Sequence, residues 1–87
     1  MAVYQPRESL TAQNAETALQ AGLQAIAGGQ REIDLALLSN VDSAAVATLL
    51  AWKRAAAEKG AALTFHHMPA NLQSLANLYG VDELLKD

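Results

Sequence analysis

The chain has 87 residues, enough for one hydrophobic core and no second, so residues 1–87 are expected to form a single domain. It is 52% hydrophobic and 17% charged, which excludes a disordered chain. A net charge of −3 with no basic patch argues against nucleic acid as a partner, and the absence of cysteine rules out disulfides and thiolate metal sites.

The N-terminus MAVYQPRESL lacks the basic start and apolar run of an export signal. No stretch reaches the roughly 18 apolar residues that a membrane span needs. A soluble cytoplasmic domain is expected, reaching a membrane only indirectly.

In chain order, Ala2–Tyr4 and Arg7–Leu10 read as two short strand pieces, because Pro6 cannot donate to a ladder. From Asn14 the pattern turns helical. Ala15, Leu19, Leu23 and Ile26 recur at three- and four-residue spacings, Thr11 or Asn14 can cap the start, and Gly28-Gly29 ends the run. Glu32–Leu38 mixes alternation with a near-continuous apolar end, as a central strand covered on both faces should. A second helix is expected from Ser43 to Lys59, stopping at Gly60. Ala61–His66 reads as a strand with Leu63 and Phe65 on one face. Pro69 suits the first turn of a third helix that carries Leu72, Leu75, Ala76 and Tyr79 on one stripe and ends at Gly80. Asp82 can cap a last turn, with Val81, Leu84 and Leu85 closing over the core. Strand–helix–strand units imply parallel neighbours. The expected fold class is α/β, a small mixed β-sheet flanked by helices.

The second helix has two sides when each residue advances by about 100°. Ala45, Val46, Leu49, Leu50, Trp52, Ala56 and Ala57 form a broad apolar side, expected to face the core. Lys53 falls there too, so its stem should lie along apolar surface while its ammonium reaches water. Ser43, Ala44, Ala47, Thr48, Ala51, Arg54, Ala55 and Glu58 form the other side, almost entirely small at its N-terminal end. Alanine favours helix wherever it stands, and this stripe can express that alone. It can also be a docking face that lets a partner approach closely. Asp42 or Ser43 can cap the first turn. The Ser43 hydroxyl at that end can equally bond a partner or accept a phosphate, which adds about −1.5 to −2 charges.

The block IDLALLSNVDSAAVATLLAWKRAAAEKGAALTF resembles the central strand–Asp-Ser/Thr–helix–strand segment of STAS domains, and NLQSLANLYGVDELL is similar to their closing helix. The Leu75-Ala76-Asn77-Leu78-Tyr79 stretch looks most like the STAS subunit of Mla-type phospholipid transporters, the MlaB-like branch. The resemblance implies binding rather than catalysis. Anti-sigma factor antagonists of this fold carry an Asp-Ser-Ser-Gly-like motif whose second serine a kinase phosphorylates; here that position is Ala44 and the glycine position is Ala45. In the Mla-type branch a Thr directly after the Asp matters for docking on the transporter's ATPase subunit, and Ser43 matches it. The implied partner is therefore the ATPase subunit of an ABC transporter, or a kinase or anti-sigma factor with Ser43 as the possible phosphoacceptor. The partner-binding residues expected are Ser43, Ala44, Ala47, Thr48, Ala51 and Tyr79.

Enzyme signals are weak. His66-His67 on a strand point to opposite faces and cannot easily grip one metal. Gly28-Gly29 lacks the Lys and Ser/Thr of a phosphate loop. Ser43 beside Asp42 has no identifiable base in the sequence, and a triad would need one of the two histidines to be brought close by the tertiary fold. No catalytic residue, metal or cofactor is expected.

Overall fold

The computed structural model describes residues 3–85. Its elements, in order, are β1 (Glu8–Leu10), α1 (Ala15–Ala27), β2 (Glu32–Asp34), β3 (Leu38–Val41), α2 (Ser43–Glu58), β4 (Thr64–His66), α3 (Ala70–Leu78) and α4 (Asp82–Leu85). The α/β alternation follows the periods read along the chain. β1 pairs with β3 and β2 with β4, both parallel. A further parallel bridge joins Tyr4 to Ile33. The mixed sheet expected from sequence thus has only parallel pairings among the described residues. Ala2, read as the start of the first strand piece, lies outside them.

The segment Glu32–Leu38, expected as one strand, is broken. Asp34 ends β2 by accepting the Ala36 N–H on Oδ1 at 2.9 Å, and the Leu38 N–H turns back to the Leu35 carbonyl at 3.1 Å. An aspartate side chain that bonds its own backbone two residues on competes with the ladder and makes a turn. Leu37 is left 43% exposed at that turn, while Leu35 is fully buried. The outer segment adjusts to the insertion. Tyr4 lies opposite Ile33 and Leu10 opposite Val41, so six steps on the outer segment span eight on the inner one. One of the two extra residues is taken up between Tyr4 and Glu8, and the other between Glu8, whose φ is 63°, and Ser9.

α2 is the central helix and packs against α1, α3 and α4. Leu10, Ile26, Ile33, Leu35, Leu49, Leu63, Leu72 and Trp52 are each less than 2% exposed, so both the strands and the helices feed one core. Trp52 is its largest member. The ring meets Tyr4 edge-on, 5.7 Å between centroids, and Nε1 donates to the Leu19 carbonyl at 3.1 Å. Gly22 on α1 is buried against the same ring, which occupies the place where a Cβ would stand.

Several side chains depart from their expected places. Ala57 is exposed although it shares the apolar side of α2. Leu84 is 62% exposed while Leu85 is 4% exposed. Successive residues of a single helical turn point about 100° apart, so α4 can bury one leucine and not both. The Lys53 ammonium does not simply run out to water: Nζ donates to the Leu63 carbonyl at 2.6 Å and lies 5.6 Å from the Phe65 ring centroid. Asn14 stands at the N-cap of α1, but its side chain turns back to accept from Thr11 N and donate to Ser9 O, both at 2.8 Å.

Candidate docking surface

The site begins where β3 ends. Asp42 stands in extended backbone before α2 and accepts the Ala44 N–H on Oδ1 at 2.8 Å, the capping bond expected of it. Its Oδ2 accepts the Ala12 N–H at 3.1 Å. One carboxylate thus caps the helix and ties the β1–α1 loop beside it, leaving Ser43 exposed at the helix start. The two bonds separate by substitution. Asp42→Asn keeps an oxygen for Ala44 and loses the acceptor for Ala12, whereas Asp42→Ala loses both. Asp42→Ala is expected to lower stability by about 1–2 kcal/mol and Asp42→Asn by less than about 1 kcal/mol. Urea denaturation checks this; equal losses would mean that the cap alone matters.

The small face read from sequence divides in two along α2. On one side Ala44, Thr48 and Ala51 turn toward Ala15, Glu16 and Leu19 of α1, leaving a shallow cleft of ≈ 190 Å³. Thr48 is only 4% exposed, and its hydroxyl donates to the Ala44 carbonyl at 2.8 Å. Thr48 is therefore not on an open surface: much of what the small side chains admit closely is α1 of the same chain. On the other side Ser43, Val46, Ala47 and Leu50 face Tyr79 and Val81 across an apolar groove of ≈ 360 Å³. Ala47 lines both cavities and forms the ridge between them.

The groove's second wall depends on how α3 ends. Gly80 has φ 69°, the Gly80 N–H bonds the Asn77 carbonyl, and the Val81 N–H bonds the Ala76 carbonyl, both at 3.0 Å. This pair of bonds closes a helix through a left-handed residue, which glycine adopts without a Cβ clash. The turn places Val81 beside α2 and leaves Tyr79 53% exposed at the rim. Beyond Leu50 the groove continues past Lys53, Arg54, Ala57 and Leu84 for a further ≈ 330 Å³. Of the six expected residues, Ser43, Ala47 and Tyr79 come together here, and Ala44, Thr48 and Ala51 go to the α1 side. Leu50, Val81, Leu84 and Arg54 are groove residues that sequence reasoning did not assign to the site. The signal available was an apolar arc on α2 wider than the neighbouring helices can cover.

The two histidines lie elsewhere, on β4 and just after it. His66 Nε2 is 2.7 Å from Glu32 Oε1, and His67 Nδ1 is 3.1 Å from Asp34 Oδ1. The Ala36 N–H, with help from His67, holds the Asp34 carboxyl below its ordinary value. Each imidazole thus takes its own carboxylate. Among the described residues no group of three or more His, Asp or Glu could hold a metal ion.

A family model described as an Mlab STAS domain matches residues 7–86. The chain belongs to the STAS domain family. This STAS domain matches no curated protein by sequence. The two parallel ladders and four helices among its described residues are consistent with the family fold. STAS domains are in general binding and regulatory modules rather than enzymes. No described helix of this one is long and apolar enough to cross a membrane.

Proposed function

We propose that this STAS domain is a non-catalytic adaptor that binds and regulates the ATPase subunit of an Mla-type phospholipid ABC transporter, in the cytoplasm and at the inner membrane through that partner. The observation that carries the reading is the apolar groove with the exposed Ser43 hydroxyl at its mouth, Ala47 on the ridge along one side and Tyr79 on its rim. A shallow, largely apolar opening lets the backbone of a partner come close, while the hydroxyl offers a directional bond at one end. The MlaB-type family match supports the choice of partner. Ala44 weighs against the alternative, an anti-sigma factor antagonist switched by a serine kinase. It fills the position of the usual phosphoacceptor in that motif, carries no hydroxyl and lines the α1-side cleft.

Co-purification with the ATPase subunit tests the proposal. Ala47→Glu would set an unpaired carboxylate in the covered groove, a cost of several kcal/mol. At about 1.4 kcal/mol per tenfold, binding should fall at least about a hundredfold. Ser43→Lys should also weaken the complex, and the ATPase rate should return to that of the subunit alone. A complex and a rate that both variants leave unchanged would exclude this docking face.

A further inference from the structure

The distal half of the groove carries a charge asymmetry that the Ser43 end does not explain. The two stretches share Leu50 and together run from Ser43 to Ala57 along one stripe of α2. Among the described residues their lining contains no acidic one, and the only charges there are Lys53 and Arg54, side by side at the Leu84 end. The chain as a whole is net negative, with 9 acidic residues against 6 basic ones, so this polarity runs against its composition. Lys53 is committed to the Leu63 carbonyl, which fixes one positive charge in place, while Arg54 is exposed.

We infer that the full groove takes an amphipathic helix of the partner whose acidic end lies against Arg54 and whose apolar stripe fills the space between α2 and the Tyr79–Leu84 wall. This rests on the adaptor reading for the existence of a partner and adds the chemistry of the segment that enters. Fourteen residues separate Ser43 from Ala57, about 21 Å of helix axis, which an occupant of about four turns matches. The α2 side of the groove suits a helix. Ala47, Leu50, Arg54 and Ala57 recur every three or four residues, and this ridge pattern receives a second helix. Ala47 and Ala57 are small enough for close approach, and Leu50 and Leu84 supply apolar contact at mid-length and beyond. A carboxylate at the Arg54 end meets a fork of donors that suits it better than a lone ammonium would.

The experiment titrates the purified ATPase subunit with the wild-type domain, Arg54→Glu, Arg54→Gln and Ala47→Glu, at about 50 mM and about 500 mM salt. Arg54→Glu should bind roughly tenfold more weakly at low salt, Arg54→Gln less so, and the gap should narrow at high salt. Because the chain has no cysteine, Ala57→Cys gives a unique attachment point for a photo-crosslinker. The captured ATPase peptide should carry apolar residues every third or fourth position and Asp or Glu at one end. Loss of binding in Ala47→Glu with no change in Arg54→Glu overturns the inference and leaves the adaptor reading standing. If Ala47→Glu also binds like wild type, both fall. A captured peptide without acidic residues, or an Arg54→Glu effect independent of salt, overturns the acidic occupant.

Discussion

Trp52→Ala is expected to destabilise the domain by about 3–5 kcal/mol, the range for removing a large aromatic ring from a core. A small domain has about 5–15 kcal/mol in total, so the loss removes between about a fifth and all of its stability and should lower Tm by about 12–40 °C. The reason is position as much as size. Trp52 has no exposed surface, meets Tyr4 edge-on and donates to the Leu19 carbonyl of α1, so its loss disconnects the N-terminal segment, α1 and α2 together. Trp52→Phe separates packing from the hydrogen bond. The Leu19 carbonyl keeps its own helical partner, so no buried acceptor is orphaned, and the cost should stay near about 1–2 kcal/mol. Thermal and urea unfolding followed by circular dichroism measure both. Equal losses in the two variants would show that the N–H, not the ring volume, holds α1 on α2.

Gly22→Ala is the second large effect, and it sets two principles against each other. Alanine in place of glycine inside a helix gains about 1 kcal/mol of propensity. Here the added Cβ would stand inside the volume of Trp52, overlapping Cε2, Nε1 and Cζ2. Overpacking of a well-filled core costs typically about 1–3 kcal/mol and sometimes more. The upper part of that range applies, because the ring is held at both ends and cannot swing away without breaking its bond to Leu19. The net effect should be a loss of about 1–3 kcal/mol. Combining Gly22→Ala with Trp52→Phe should recover part of it, since residues in direct contact are not additive. A stabilised Gly22→Ala protein would mean that α1 slides on α2 more freely than the structure shows.

The same helix pair explains why the site was only half legible. A helical stripe of small residues signals close approach by something, and the sequence cannot say by what. In Ala44, Thr48 and Ala51 the something is α1, which lies near enough for its Gly22 to touch Trp52. Ser43, Ala47 and Tyr79 remain open because the glycine turn at Gly80 carries Val81 to the edge of α2 and stops short of covering it. The strand error has a similarly local cause. Glu32–Leu38 is apolar enough for one strand, but the Asp34 side chain reaches the Ala36 N–H and diverts the backbone before the ladder can continue.

What the sequence determines by itself is the set of elements with a strong period or a chemical stop. α1 and α2 run close to where their apolar spacing and their glycines place them, Asp42 caps as its position before the helix requires, and the order of strands and helices fixes an α/β fold. These are local effects, decided by neighbours within a turn or two. The tertiary structure alone decides which apolar residues are left over. Leu84 and Ala57 are as apolar as Leu85 and Ala56, and only the arrival or absence of a facing element separates them. Burial depends on residues distant in the chain, and a docking groove is the apolar surface that those residues leave uncovered.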